Sequence, residues 1–444
     1  MKSNQTISRR NMLKLMGLTT VGAAMAACAP AAAPSGDGGG AAPSAAQKEM
    51  TIATYASPQN DWQRSVSRAW AEENPDVSLN IDEIIYGEMN KKQQTAMATS
   101  TLWDVSFSGI KWYPFLVAQG AFAPLDDMAA ANDPGLDDFF SAGIAGSSFE
   151  GQLYGLPYLM HPGNPALIIY NLDILGEKGL APPADNDYTT TDYAELAAEA
   201  ADVDNLIFGT NVLPGNYYDH CSFARTYGGD ILDETADNFT FNVDPASIEA
   251  AKWVTSLRAE LNAAPNRTEA EGLQFPAGNY ATAAIGTYAV RSLDETIGDR
   301  FEWDVRLFPN GPETPRGYQA FVECFSVAAQ SEHPAEAFDL ISNLTSTEAG
   351  IEGVTQHAYQ PTSRKSVWEA PEVADILHPV LQDALQWMSD VPGPFPHPSN
   401  LRFQELQDTW SNTSQELFYG EVGFEEGMEA VQTACQEIMQ LPRA

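Results

Sequence analysis

At 444 residues the chain is long for one core, which sets an expectation of two or three domains. Hydrophobic residues reach 44 %, with 9 Trp, 16 Tyr and 20 Phe, and this excludes global disorder. Sixty acidic residues stand against 23 basic ones, and the net charge of −37 argues against nucleic acid, or anionic lipid held by a basic patch, as a partner. Copies of so acidic a chain repel one another, so a monomer is expected.

Residues 1–27 read as an address. They carry Lys2, Arg9, Arg10 and Lys14 and no acid, and an uncharged run follows from Leu15 to Ala27. A membrane-spanning helix needs ~20 apolar residues, so this run is too short and fits a signal h-region. Ser8-Arg9-Arg10-Asn11-Met12-Leu13-Lys14 resembles the twin-arginine export signal. Met25-Ala26-Ala27-Cys28 resembles a bacterial lipobox, whose cysteine becomes the lipidated first residue of the mature chain. Residues 28–47 form a flexible linker of small and polar residues behind Cys28. The expectation is an exported chain, lipid-anchored through Cys28 at the outer face of the cytoplasmic membrane or in the periplasm. Cys221, Cys324 and Cys435 have no zinc spacing and read as small buried side chains.

The mature chain alternates strand and helix. Met50–Ala56 reads as a first strand, and a helix starts at Asp61 with Trp62, Val66, Ala69 and Trp70 on one stripe. Asn74-Pro75 ends that helix. Val77–Ile85 is a second strand, Glu88–Thr101 a helix, Trp103–Ser108 a third strand and Lys111–Gln119 a helix. Further on, Ala166–Tyr170, Ala281–Gly286, Phe301–Phe308 and Val322–Ala329 read as strands, and Ser247–Leu261 and Pro334–Leu344 as helices. The alternation predicts an α/β fold with a largely parallel sheet. Breakers near 158–165, 309–317 and 360–365 suggest three crossings between two lobes, 48–160 with 313–362 and 161–312 with 363–444. A cleft between such lobes is a natural ligand site.

Asp104-Val105 with Gly120–Asp126, Gly151–Pro157, Tyr170–Asp173, Gly179-Leu180 with Pro182-Pro183, Gly228–Leu232, Phe275–Gly278 with Ala283–Tyr288, and Leu344–Gly350 occur in this order. Together, over nearly all of 48–444, they resemble the family 1 extracellular solute-binding proteins, the sugar-binding components of ABC importers. Departures are Gln152 in place of Lys, Trp103 in place of Pro, and Tyr288 in place of a frequent Trp. The resemblance implies a two-lobed periplasmic-binding-protein-like fold of type II, an ABC permease as partner, no cofactor, no metal and no enzymatic activity.

Sugars present hydroxyl edges and apolar faces, so their sites need planar aromatics with a few acids, amides or arginines. The resemblance places Trp112 and Tyr113 in the cleft, matches Tyr288 to a stacking aromatic, and brings Tyr217 or Tyr218 and the late pair Arg402 and Phe403 to the ligand. On a strand only one of Tyr217 and Tyr218 faces the cleft. All these aromatics also suit a packed core. Gln59 and Asn60 suit sugar hydroxyls, and suit a turn equally. Glu88 reads as a solvated helix residue, and Asp104 as a cap or a ligand contact. His161 and Asn164 lie at the first crossing, in hinge positions. Trp70 and Trp253 lie on helical stripes and read as core.

The expected function is capture of a mono- to oligosaccharide between the lobes and its delivery to the permease by hinge closure. Arg225, Arg291, Arg316 and Arg402 are too scattered to form a phosphate site, which favours a neutral solute. Glycerol phosphodiester, polyamine, peptide and iron stay as alternatives. So does a secreted glycoside hydrolase, because 60 acids supply a pair at catalytic spacing by chance. No G-x-S-x-G or H-E-x-x-H occurs. A structural surface protein, by contrast, would bind nothing.

Overall fold

The computed structural model describes residues 47–212, 215–357, 362–389 and 395–444. Cys28, the export signal and the linker up to residue 46 lie outside them, as do Gln360 and Pro361 of the third expected breaker.

Strand β1 (Lys48–Tyr55) buries Met50, Ile52 and Ala53, and helix α1 (Asp61–Glu73) buries Trp62, Val66 and Trp70 as its stripe requires. Strands β2 (Val77–Ile84) and β3 (Val105–Gly109) flank β1 in parallel, with α2 (Tyr86–Ala98) between them in sequence. Helix α3 (Tyr113–Ala118) follows, then β4 (Leu156–His161) and β5 (Leu167–Asn171). Helices α4 (Tyr217–Thr226) and α5 (Pro245–Ala259) precede β6 (Thr282–Ile285) and β7 (Trp303–Leu307). Strand β8 (Phe321–Val327) leads to α6 (Pro334–Leu344) and α7 (Thr347–His357). Helices α8 (Phe403–Phe418) and α9 (Phe424–Met439) end the chain.

These strands form two main sheets. The first has the order β2-β1-β3-β8-β4 and the second β6-β5-β7. The expected parallel sheet is realised only in β2-β1-β3. Strand β8 returns from the second sheet, inserts between β3 and β4 and runs antiparallel to both, while the second sheet is antiparallel throughout. Met50, Trp62, Phe107, Phe325 and Phe338 belong to the core of the first lobe. Tyr170, Phe223, Trp253, Phe308 and Trp410 belong to that of the second. Trp70 and Trp253 are buried, as are the unpaired Cys221, Cys324 and Cys435. Among the described residues no helix is long and apolar enough to cross a membrane.

The chain passes between the sheets after β4, after β7 and again between α7 and α8. Helices α6 and α7 pack on α1, whereas α8 packs on α4, α5 and α9. The first two passages lie side by side. Phe308 N donates to Ala166 O at 2.8 Å and Gln319 N to Pro162 O at 3.4 Å. Gly163 has φ +80°, and a Cβ there would stand 2.7 Å from Gln319 Cγ, so only glycine fits.

Candidate functional site

Residues of both lobes line a cavity of about 390 Å³. The first lobe contributes Tyr55 from β1, Ser57, Gln59 and Asn60 from the next loop, Tyr86 from α2 and Lys111 from the turn after β3. It also contributes Leu159 and His161 from β4 and Phe321 and Glu323 from β8. Asn164 in the first passage, Asn216 and Tyr218 at the start of α4, and Tyr288 after β6 complete the wall.

Aromatic rings dominate this wall. Tyr288 is 48 % exposed, and it meets the His161 ring edge-on at 5.7 Å. His161 in turn stacks on Phe321 at 4.9 Å. Tyr55 packs on Tyr86 at 5.5 Å and on Phe107 at 5.7 Å. Gly109 makes room for Tyr86, since a Cβ there would stand 2.5 Å from its hydroxyl. Asn60 follows its turn role: its Nδ2 donates to Ser57 Oγ at 2.9 Å, and its Oδ1 accepts from Gln63 Nε2 at 3.1 Å.

Lys111, Glu323 and His161 line the cavity, and Asp219 lies just behind it. Lys111 Nζ donates to the Tyr218 hydroxyl at 2.9 Å and lies 4.3 Å from the Tyr218 ring centroid. Burial lowers its pKa, and the charges of Asp219 and Glu323 oppose that shift. Glu323 accepts from the Tyr158 hydroxyl. Burial pushes its carboxyl up to about 7, against the pull of Tyr158, Tyr86 and Lys111. Asp219, behind Tyr218 on α4, accepts from Asn216 N at 3.3 Å and Asn216 Nδ2 at 3.1 Å, and burial pushes it too up to about 7. His161 is driven down to about 3 by burial, and its Nδ1 accepts from Gly163 N at 3.1 Å.

The Glu323 shift has a pH consequence. Its folded pKa lies above its ordinary value of 4.5, so the folded state holds the proton more tightly. That contribution to stability is complete below the ordinary value and disappears as pH rises through about 7. Between pH 5 and 7.5 the unmodified protein is therefore expected to lose about 2 kcal/mol more stability than Glu323→Gln. Chemical denaturation at both pH values checks this, and parallel losses would refute it.

The remaining expected site residues divide. Gln59, Asn60, Tyr218 and Tyr288 line the cavity, and so do His161 and Asn164 from the hinge. Tyr217 and Tyr218 begin a helix rather than a strand, because Asn216 and Asp219 form a reciprocal capping box. Tyr217 then turns into the core, while Tyr218 faces the cavity. Trp112 and Tyr113 do not reach the cavity. Trp112 lies behind Tyr86, 5.1 Å ring to ring, and its Nε1 donates to Gln93 Oε1 at 2.8 Å. The buried Tyr113 hydroxyl donates to Ser147 O at 2.8 Å. Arg402 pairs with Glu405, and Phe403 packs on Tyr217 at 5.3 Å. Both line a separate pocket of about 250 Å³. Tyr55, Tyr86, Lys111, Phe321 and Glu323 have no sequence signal of their own beyond strand ends. Among the described residues no group of three or more His, Cys, Asp or Glu side chains is placed to hold a metal.

The model of a bacterial extracellular solute-binding protein family matches residues 66–378, and the chain belongs to this family. The curated relative BAB2_0491 of Brucella abortus (strain 2308) is 24 % identical over 388 residues, spanning 85 % of this chain and 89 % of that protein. The ABC substrate-binding protein Lmo0181 from Listeria monocytogenes, in complex with cycloalternan, superposes with a TM-score of 0.77 at 19 % identity. The superposition covers 88 % of this chain and 99 % of that one. The GacH receptor of Streptomyces glaucescens, studied unliganded and with acarbose, gives 0.74 at 20 % identity over 89 % and 99 % of the two chains. The sugar-binding protein MalE from Xanthomonas citri gives 0.73 at 18 % over 88 % and 97 %. These likenesses establish the two-lobed binding-protein fold.

Proposed function

We propose that the protein captures a carbohydrate in the interlobe cavity and delivers it to the permease of an ABC importer. The observation that carries this reading is Tyr288, a ring left 48 % exposed on a wall otherwise rich in amides and tyrosines. An open aromatic face beside Gln59, Asn164 and Asn216 suits the apolar face and hydroxyl edge of one sugar ring. At about 390 Å³ the cavity has the size of a small-ligand site, which suits a mono- or short oligosaccharide. The Listeria protein's complex with cycloalternan and the Streptomyces receptor's with acarbose support the same reading. Gln59, Tyr218 and Tyr288 are the main contacts, and His161 and Asn164 couple them to the hinge. A ligand that touches both lobes only when they close shifts the population toward closure. We place the lobes at 48–160 with 313–362 and 161–312 with 363–444, with His161 at the end of β4 and Arg364, still bonded to the first lobe, at the starts of the first and last passages. Twin-arginine export and lipidation of Cys28 leave a monomer tethered outside the cytoplasmic membrane, and it turns nothing over.

A thermal-shift panel of mono-, di- and oligosaccharides, glycerol phosphates, polyamines and ferric citrate tests the reading. A ligand at 100 times its Kd adds about 2.7 kcal/mol of stability. A shift with one sugar class, recovered chemically unchanged, is the expected result. Hydrolysis of that sugar, or a shift with charged non-sugar solutes alone, would overturn it.

A further inference from the structure

The four arginines that favour a neutral solute in sequence are all engaged. Arg225 pairs with Asp230 at 2.8 Å, and Arg291 donates to Val354 O at 3.1 Å and Ile376 O at 3.0 Å. Arg316 donates to Asn186 O and Arg402 pairs with Glu405. The cation that faces the cavity is Lys111, the sole lysine or arginine among its described lining residues. One of its three N–H donors goes to the Tyr218 hydroxyl. Among the described residues it forms no ion pair with a carboxylate. The two acids beside it are held elsewhere, Glu323 by the Tyr158 hydroxyl and Asp219 by the Asn216 cap. Burial also raises both carboxyls to about 7, so each is only about half ionised at pH 7. A half-buried ammonium with donors to spare is best matched by an ionic acceptor from the ligand, because an ion pair is stronger away from water.

The rings around Lys111 sharpen this. Its Nζ lies 4.3 Å from the Tyr218 centroid, 5.2 Å from Phe321 and 5.8 Å from Tyr86. The aromatic faces that would hold a cationic solute already hold this one, which disfavours a polyamine. A phosphate recruits several N–H groups or a forked guanidinium, whereas one ammonium matches one carboxylate. The net charge of −37 opposes an anion only weakly wherever the exposed acids lie more than about 8 Å away, because such charges are largely screened at physiological salt.

Resting on the carbohydrate reading, we propose that the protein selects sugars carrying a carboxylate, the uronic acids, and that Lys111 is the residue that specifies the acid. Calorimetric titration of the purified protein tests this, using glucuronate, galacturonate and mannuronate as monomers, dimers and trimers against the matching neutral hexoses. At least one uronate is expected to bind about tenfold or more tightly than its neutral counterpart. Lys111→Met is expected to bring that ratio close to one, and Lys111→Arg to keep most of it, with ligand-free melting curves reporting whether each variant is folded. The ratio in the unmodified protein decides the ligand class even where a variant does not fold. Neutral hexoses binding as tightly as uronates would overturn the proposal and leave the carbohydrate reading standing. Binding of neither series would overturn both. A uronate preference undiminished in folded Lys111→Met would overturn the role of Lys111.

Discussion

Removing the ring of Tyr288 is expected to raise the dissociation constant for the captured carbohydrate about thirtyfold while leaving the fold intact. The two effects separate because the ring is 48 % exposed, meeting His161 edge-on at 5.7 Å and resting over Gly286, where a Cβ would collide with its Cε1. Substitutions at such a surface position usually change stability by within ~0.5 kcal/mol. A sugar face laid on the ring would bury apolar area and gain the stacking that aromatic pairs show, together about 2 kcal/mol, or about thirtyfold in Kd. Tyr288→Trp should bind at least as well, because a larger flat surface replaces the same platform. Titration of Tyr288→Ala with the sugar found in the thermal panel checks the expectation. An unchanged constant would place the ligand elsewhere in the cavity.

The elements that sequence reading recovers are those with a strong local signal. Helix α6 spans Pro334–Leu344 as expected, with Pro334 in the first turn and Ala337, Phe338, Ile341 and Leu344 on the buried face. The place of β8 between β3 and β4 has no such signal, because partners such as Phe325 and Phe107 are brought together only by the chain's return from the second lobe. Tyr217 and Tyr218 look like strand residues by composition, and the Asn216–Asp219 cap overrides that preference. The site divides along the same line. Tyr288 is legible from the family resemblance, whereas a lysine next to two large aromatics reads as a solvated head. The turn between β3 and α3 reverses these roles, sending Lys111 to the cavity and Trp112 and Tyr113 into the packing behind it. The Tyr218 and Phe321 rings that cover Lys111 come from segments more than a hundred residues away, and no local pattern encodes them.

Arg364→Ala is expected to lower the stability of the protein by about 3 kcal/mol. Arg364 is only 6 % exposed, and its guanidinium lies 4.0 Å from the Phe139 ring centroid. Its Nε donates to Thr345 O, its Nη1 to Gly135 O at 3.3 Å and to Asp138 Oδ2 at 3.2 Å, and its Nη2 to Pro134 O at 2.6 Å. Truncation leaves three carbonyls short of a donor and breaks a half-buried ion pair, and breaking buried pairs costs roughly 3–5 kcal/mol. Asp138 keeps Ser366 N at 3.0 Å and Ser366 Oγ at 2.6 Å, which places the expected cost at the lower end. Lysine should rescue little, since a point charge cannot reproduce a fork aimed at carbonyls in several directions. The consequence for function follows from where these bonds sit. They fasten the segment after α7, where the chain starts its last passage between the lobes, to residues 134–139 of the first lobe, so the passage begins from a fixed point. Urea unfolding of Arg364→Ala, followed by tryptophan fluorescence, measures the cost. A midpoint within error of the unmodified protein would mean that water replaces the guanidinium at no cost and that the anchor lies elsewhere along the passage.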